Sequence, residues 1–244
     1  MPERVAIITG GAKGIGRAVA LRLAKDGWSV AFCYRTSASA AEETAESIRA
    51  EGARVIAGPY DVSDPTACEA LVSRVRSEWG RVDALINAAG PYRREALLET
   101  SVESWHDMFR NNLDTVFYMS RLVAVPMKEQ HGGRIVSFSM ANADQMIGQP
   151  QLTAHYIAKV GVLVLTRTLA RVLGPYNITV NAISPGFIAS GSAPEEELQK
   201  MVKSIPAGYV GDLSDAVSAV LYLLSDEARY VNGANIHLSG GWGV

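Results

Sequence analysis

Cysteine and histidine are scarce in this chain of 244 residues, and neither forms a cluster of ligands. Cys33 and Cys68 fall within a predicted strand and a predicted helix, so we expect two small buried side chains in a reducing compartment. The four histidines show no metal-ligand spacing and argue against a metal site: His106, His131, His155 and His237.

An excess of charge of one sign and long apolar runs are also absent. The formal net charge is -2 and there is no basic block, which argues against nucleic acid or a lipid surface as the main partner. No apolar run reaches membrane length and no signal peptide is visible, so we expect a soluble cytoplasmic protein. With 48% hydrophobic residues and no repeat or linker, residues 1–244 are expected to form one domain.

A glycine-rich turn near the N-terminus is the strongest positive signal. Residues 5–8 predict a buried strand, residues from 17 onward predict a helix, and a glycine turn connects them. This is the context of a dinucleotide-binding site, in which free N–H groups of the helix face the phosphates. The glycines allow a tight turn, close approach of a pyrophosphate and close packing of helix on strand. The candidate cofactor residues here are Gly10, Lys13, Gly14, Ile15 and Gly16.

The end of the second predicted strand, Trp28 to Tyr34, bears on the choice of cofactor. A site specific for NAD usually has Asp or Glu there, which accepts hydrogen bonds from the ribose 2′-OH. This chain has Arg35, Thr36 and Ser37 instead, and a guanidinium with two hydroxyls suits a 2′-phosphate. Because Lys13 adds positive charge on the same side, the sequence predicts NADP rather than NAD.

Seven predicted strands alternate with helices along the chain. This order predicts an α/β, single-domain Rossmann fold, with a doubly wound seven-stranded parallel sheet and helices on both faces. The helix predicted over Tyr156 to Leu173 is apolar almost all round. Such a helix needs cover from its own sheet and from another subunit, which predicts an oligomer.

The spacing Gly-x-x-x-Gly-x-Gly, counted from Gly10 with Thr9 in front, resembles the short-chain dehydrogenase/reductase family, and the resemblance runs from end to end. It implies a homotetramer or homodimer that transfers hydride between NADPH and a small carbonyl substrate. Within the family, the chain is most similar in character to 3-oxoacyl carrier-protein reductases. A substrate lid is expected at about 187–208. Further contacts are implied at the adenine, at an Asn-Ala-Gly signature and at a Pro-Gly turn near the nicotinamide: Asp61, Val62, Asn87, Ala88, Gly90, Pro185, Gly186 and Ile188.

The resemblance breaks at the catalytic residues. The family has a serine that binds the substrate oxygen, and a Tyr-x-x-x-Lys pair in which the lysine cation lowers the pKa of the proton-donating tyrosine. Lys159 matches the lysine, which would also hold the cofactor, but His155 stands four residues before it. Tyr156 stands three residues before it, and one helical residue is about 100° of rotation. Asn112, with Asn111 as its register neighbour, lies in a helical region predicted over 101–129 and matches a family asparagine that kinks the helix and holds a relay water.

The serine position is altered as well. Alignment places Met140 where the family serine belongs, and Ser139 comes one residue early. The following loop is about two residues longer than usual and carries Asn142 and Asp144. In the pteridine reductase branch an aspartate replaces the serine, and Asp144 faintly resembles that arrangement.

Three hypotheses follow for the candidate catalytic residues Asn112, Ser139, His155, Tyr156 and Lys159. In the first, Tyr156 acts with Lys159 while Ser139, Asn142 or Asp144 polarises a carbonyl substrate that is 3-oxoacyl-like or pterin-like. In the second, His155 is the acid, since an ordinary histidine pKa near 6.5 suits proton transfer. In the third, the site is degenerate and the protein is an NADP-binding sensor or scaffold.

Overall fold

Short apolar segments pair side by side as one parallel sheet in the computed structural model, which describes residues 3–191 and 195–244. The order of the strands across the sheet is β3-β2-β1-β4-β5-β6-β7. Every neighbouring pair is parallel, as the predicted alternation of strands and helices requires. Within the described residues the strands are β1 Val5–Thr9, β2 Ser29–Cys33, β3 Val55–Gly58, β4 Ala84–Asn87, β5 Gly133–Phe138, β6 Ile178–Pro185 and β7 Asn235–Leu238.

Helices cover both faces of this sheet. Side chains of α1, α2 and α8 pack in one layer with Ala6 and Ile8 of β1, whereas α3, α5 and α6 pack in the other layer with Val5 and Ile7. This alternation along one strand follows from the two-residue period of a pleated strand. The helices are α1 Gly14–Lys25, α2 Ala38–Ala50, α3 Pro65–Trp79, α4 Val102–Phe109, α5 Thr115–Glu129, α6 Thr153–Leu173, α7 Glu195–Met201 and α8 Leu213–Leu224.

The predicted doubly wound parallel sheet is therefore confirmed, with changes at its element boundaries. The sequence predicts a third strand over 54–62, but β3 stops at Gly58, because its partner β2 ends at Cys33. Asp61 instead forms a turn, in which its Oδ1 accepts a hydrogen bond of 3.0 Å from Ser63 N.

None of the described helices is long and apolar enough to cross a membrane.

One boundary change shapes the site. The long helix expected over 101–129 is interrupted between α4 and α5 by a π-helical turn, Arg110–Asp114. A π turn inserts an extra residue into the helical ladder and changes the direction in which its side chains point. Asn111 and Asn112 both lie in this turn, and both are buried.

Candidate active site

The glycine turn connects β1 to α1 where the strand order reverses between β2 and β4. Parallel sheets bind ligands at such a reversal, beyond the carboxyl ends of the strands. Gly10 has φ +71° and Gly14 has φ +55°, both in the left-handed region that favours glycine. A Cβ atom at Gly16 would collide with the carbonyl oxygen of Gly10. The turn therefore needs glycine at all three positions.

A groove of about 300 Å³ runs from this turn along the ends of β2, β3 and β4. Eight of the predicted cofactor residues line it: Gly10, Lys13, Arg35, Thr36, Asp61, Val62, Ala88 and Gly90. Gly14, Ile15 and Gly16 belong to the adjoining first turn of α1, with Ile15 packed against the core. Sequence reasoning missed several lining residues, which carried no motif: Tyr34, Tyr60, Pro91 and Thr115.

The groove is basic at the end of β2. Arg35 and Lys13 both line it with exposed side chains. Arg35 Nη1 donates a hydrogen bond of 3.1 Å across the groove to Asn111 Oδ1. Asn111 in turn donates to Asp107 Oδ1 at 2.8 Å, which fixes its amide. Asn111, considered only as a register alternative in the sequence, thus lies at the nucleotide-binding end of the π turn.

The Asn-Ala-Gly segment follows β4 and is hydrogen-bonded to both neighbouring strands, β1 and β5. Thr9 Oγ1 accepts hydrogen bonds from Ala88 N at 3.1 Å and Ala89 N at 3.0 Å, tying the ends of β1 and β4 together. Asn87 Nδ2 donates to Ser137 Oγ at 3.1 Å. Asn87 therefore lies beneath the groove within the sheet, and Gly90 carries the chain onward to its far end.

Asn112 and Lys159 meet at Gly90. A Cβ atom at Gly90 would lie 2.6 Å from Asn112 Oδ1 and 3.3 Å from Lys159 Nζ, so both atoms border the space that glycine leaves. Asn112 Nδ2 donates to Met108 O at 3.0 Å and Pro91 O at 3.2 Å, whereas its buried Oδ1 has no protein partner. Gly90, which lines the nucleotide groove, thus lies against an amide oxygen and an ammonium group.

Lys159 is buried, with 7% of its surface exposed. Its Nζ donates a hydrogen bond of 2.9 Å to the carbonyl oxygen of Phe138, the last residue of β5. Burial disfavours the charged ammonium and lowers the pKa of Lys159 to about 8. The residue thus carries a cation whose proton is held less tightly than that of an exposed lysine.

His155 lies one turn before Lys159 on α6 and packs edge-on against the Tyr92 ring at 5.3 Å between centroids. Its buried Nδ1 has no hydrogen-bond partner. Burial, and then the Lys159 charge, lower the pKa of His155 to about 3, although a hydrogen bond with the Pro91 backbone opposes the shift. The ring is therefore neutral at neutral pH.

The structure does not bring Tyr156 to this cluster, contrary to the first hypothesis. Its hydroxyl donates to Asn142 O at 2.8 Å and accepts from Ile147 N at 3.0 Å. Because Tyr156 is one residue out of register with the Lys159 face, its ring packs with Leu163 and Ala182 instead. Tyr156 therefore fastens the loop after β5.

Ser139 is likewise turned away from Lys159 Nζ. Its hydroxyl donates to the backbone oxygen of Lys159 at 2.9 Å, which joins the end of β5 to α6. Met140 is partly buried against the cluster around Tyr156. The predicted role of Ser139 in polarising a substrate does not fit this contact.

Asn142 and Asp144 do not face the cluster either. The carbonyl of Asn142 holds Tyr156, and its side-chain Oδ1 is buried without a partner. Asp144 Oδ2 lies 2.8 Å from His237 Nε2 and accepts a hydrogen bond of 3.1 Å from Asn235 Nδ2. Burial favours the neutral acid, but these hydrogen bonds outweigh it and lower the pKa of Asp144. The carboxylate therefore anchors the loop to β7. Because it does not face the Lys159 cluster, the predicted likeness to the pteridine reductase aspartate is wrong.

The predicted nicotinamide-side turn follows β6, which ends at Pro185. Gly186 N donates to Leu238 O at 2.9 Å, and Ile188 is buried and forms a bridge with Gly211. The predicted lid at 187–208 includes residues 192–194, which lie outside the described residues; its described part contains α7. Across the described residues, no group of His, Cys, Asp and Glu side chains could hold a metal ion.

The chain is similar to known proteins along nearly its whole length. Residues 10–243 match the family model described as Enoyl-(Acyl carrier protein) reductase. The chain is 36% identical over 239 residues to the 3-oxoacyl-[acyl-carrier-protein] reductase FabG of Staphylococcus aureus strain Mu50, covering 97% of this chain and 96% of that protein. It is 33% identical over 241 residues to the Escherichia coli K12 FabG, covering 98% and 96%.

A solved structure also shares the fold. The 7 alpha-hydroxysteroid dehydrogenase complexed with NADH and 7-oxo glycochenodeoxycholic acid superposes with a TM-score of 0.91 at 30% identity, over 98% of this chain and 94% of that one. Both sequence and architecture therefore match along nearly the whole length. The chain belongs to the short-chain dehydrogenase/reductase family of oxidoreductases.

Proposed function

We propose that this protein is an NADP-dependent reductase of a carbonyl substrate. One observation carries the proposal: Gly90 lines the basic nucleotide groove and also borders Asn112 Oδ1 and Lys159 Nζ. A dinucleotide whose phosphates lie at the glycine turn would extend along the groove toward that cluster. The similarity to 3-oxoacyl-[acyl-carrier-protein] reductases supports the same reaction class.

The glycine turn and the groove fit a nicotinamide dinucleotide. Positive φ at Gly10 and Gly14 and the close packing at Gly16 leave backbone N–H groups free at the start of α1. Bound NADPH would supply the hydride that reduces the carbonyl carbon. Lys159 would hold the nicotinamide ribose, and Asn112 Oδ1 would hold a water near Lys159 Nζ.

Preference for NADP over NAD is proposed from the charges at the end of β2. Arg35 and Lys13 place two cations in the groove, and Thr36, which also lines it, adds a hydroxyl that can bind a phosphate. Replacing Arg35→Ala removes charge-assisted hydrogen bonds, each of which contributes about 1.5–3 kcal/mol. We expect NADPH affinity to fall about 10-fold to 150-fold, with little change in NADH affinity. Equal losses for both cofactors in fluorescence titrations would remove the case for NADP.

The substrate is proposed as a ketone or a 3-oxoacyl thioester, with a pterin as the less favoured class because Asp144 is anchored to β7. The test is NADPH oxidation over a panel of ketones, 3-oxoacyl thioesters and pterins. Turnover of one class that is lost in Lys159→Met, with NADPH still bound, supports the proposal. NADPH binding without turnover of any class counts against it.

A second function has its own observation. The hydroxyls of Tyr156 and Ser139 are both engaged in structural hydrogen bonds, so neither is free to serve as a hydroxyl acid. A protein that only binds NADP, as a sensor or scaffold, would need none. In that case NADPH would bind and alter the association of the chain with a partner, and no substrate of the panel would turn over.

We further propose that the chain works as a homotetramer or homodimer. Apolar side chains on the outer faces of α5 and α6 are exposed in the single chain, including Val125 at 51%, Val164 at 58% and Val172 at 55%. Val164 and Val172 belong to the helix that was expected to need a second subunit, and Val125 extends the exposed apolar surface onto α5. Another copy of this chain offers the same apolar faces as a partner.

A further inference from the structure

We propose that the ammonium group of Lys159 is itself the acid that protonates the substrate oxygen, in place of a tyrosine hydroxyl. The inference rests on the proposed reductase function and adds the identity of the proton donor. It follows from which of the neighbouring groups still holds a proton that can be given away.

The hydroxyl groups nearest in sequence are not available. The Tyr156 hydroxyl donates to Asn142 O and accepts from Ile147 N, so donation to a substrate would break the loop contact. The Ser139 hydroxyl donates to the Lys159 backbone oxygen inside the β5–α6 junction. Both groups point away from the space that Gly90 leaves.

His155 faces the right way but lacks the proton. It shares a face of α6 with Lys159, and it is buried, with 6% of its surface exposed. Since burial and the adjacent cation bring its pKa to about 3, the imidazolium amounts to only about one molecule in 10⁴ at pH 7. A neutral imidazole is far too weak an acid to protonate an alkoxide. His155 is therefore neutral and adds no second positive charge to the site.

Lys159 has the proton and the position. Its Nζ uses one donor on the Phe138 carbonyl, and an ammonium group has three. The same atom lies beside Gly90, which lines the nucleotide groove and also lies against Asn112 Oδ1. Burial brings the pKa of Lys159 to about 8, close to the range in which an acid works best at neutral pH.

The proton balance closes without another reactant. As hydride reaches the carbonyl carbon, the π electrons of the C=O bond move to the oxygen. An N–H bond of Lys159 breaks, its electron pair stays on nitrogen, and the oxygen binds the proton to give the alcohol. The neutral amine then takes a proton from solvent, through a water held at Asn112 Oδ1.

The surroundings of Lys159 simplify the titration that tests this. The loop after β4, the end of β5 and the π turn present Gly90, the Phe138 carbonyl and Asn112, none of which titrates. Among the described residues, His155 is the titratable group whose pKa responds to the Lys159 charge. A proton lost near neutral pH in this cluster is therefore assigned to Lys159.

The first measurement needs no turnover. The chain has six lysines, so side-chain NMR of protein labelled with ¹³C and ¹⁵N lysine resolves each titration. The Lys159 signal is identified by its loss in Lys159→Met, with the exposed Lys25→Met as the matched control. We expect Lys159 to titrate near 8 and the His155 ring to stay neutral down to about pH 5. Titration of Lys159 at its ordinary value of about 10.4, or of His155 between about pH 6 and 7, overturns the proposal.

The second measurement separates proton donation from charge. Lys159→Arg keeps a cation but has no transferable proton near neutral pH. Lys159→Cys, made in a Cys33→Ala, Cys68→Ala background, is alkylated with 2-bromoethylamine in urea and refolded, which restores an amine of lower pKa at the buried position. The two native thiols are replaced because they are free and unfolding would expose them.

We expect wild-type reduction to fall as the pH rises through about 8. Lys159→Arg should lose about 10²–10⁴-fold in kcat, while the alkylated variant regains turnover with its pH limb moved to lower pH. An active Lys159→Arg enzyme overturns the lysine acid but leaves the reductase function standing. Absence of turnover in the wild type removes the reductase function, and the lysine acid with it.

Discussion

His155 and Lys159 occupy one face of α6, where burial, and then the Lys159 charge, keep the His155 ring neutral. The free energy of unfolding should therefore depend on pH through His155. In the folded protein the pKa of His155 is about 3, below its ordinary 6.5, so its contribution is complete above pH 6.5 and is lost as the pH falls. Between pH 6.5 and 4.5 the loss is roughly 3 kcal/mol, since each pKa unit is about 1.4 kcal/mol.

His155→Gln should remove this loss. We expect urea unfolding of the variant to show a smaller drop in the free energy of unfolding between pH 7 and pH 4.5 than the wild type, by roughly 3 kcal/mol. His106→Gln is the matched control, because that histidine is exposed on α4. Identical pH dependence in wild type and His155→Gln would show that the ring titrates normally in the fold.

Tyr156 offers a second prediction at the residue scale. Tyr156→Phe deletes the donor to Asn142 O and leaves Ile147 N without its acceptor, at a cost of about 1–3 kcal/mol in the free energy of unfolding. Turnover should fall by less than about tenfold, whereas loss of a general acid costs about 10²–10⁴-fold. Tyr222→Phe, on an exposed ring, is the control for both readouts.

A Tyr156→Phe protein of unchanged stability that lost more than a hundredfold in kcat would restore the tyrosine mechanism. The sequence alone indicates the one-residue offset between Tyr156 and the face of α6 that carries Lys159. It could not say what the hydroxyl would bind instead, because Asn142 and Ile147 reach it through a loop whose path is set by left-handed residues and by the anchor of Asp144 on β7.

Among the elements, the glycine turn was predictable and the family resemblance implied a kink at Asn112, whereas the π-helical form of the turn between α4 and α5 was not predictable. The glycine turn depends on local backbone conformation and close packing, and the residues that allow them, Gly10, Gly14 and Gly16, are visible in the sequence. The π turn depends on tertiary contacts, because the Asn112 amide bonds both to Met108 O in its own helix and to Pro91 O in another segment. The apolar pattern of 101–129 continues through the turn without a break.

The contact between this turn and the loop after β4 can be tested through Gly90. A methyl group at Gly90 would press on Asn112 Oδ1, so Gly90→Ala should lower the free energy of unfolding by about 1–3 kcal/mol and reduce kcat at least tenfold. Gly148→Ala is the matched control, since its Cβ would meet nothing within 4 Å. Equal kcat and equal unfolding midpoints for both variants would mean that the two atoms do not border Gly90.

For the whole molecule, the strand alternation was enough to predict the layered fold, because each strand divides its side chains between two helical layers. Assembly is the level that remains open to experiment. Val164→Glu places a charge on the exposed face of α6 and should convert the proposed oligomer into a smaller species in sedimentation velocity. Because Val164 is 58% exposed in the single chain, the subunit should fold normally.

Tyr230→Glu serves as the control for assembly, since that ring is 98% exposed in the segment before β7. It should leave the sedimentation coefficient unchanged. If Val164→Glu sediments like the wild type, the outer face of α6 is not a subunit contact.

Trp242 gives the molecule an optical probe of its own. Its ring packs against Phe187, the residue with which the expected lid begins, at 4.7 Å between centroids. Two of the other tryptophans stack under arginines away from this end: Trp28 under Arg4 and Trp79 under Arg54. A change in intrinsic fluorescence on adding NADPH that disappears in Trp242→Phe would therefore follow the movement of this segment in real time, without any attached dye.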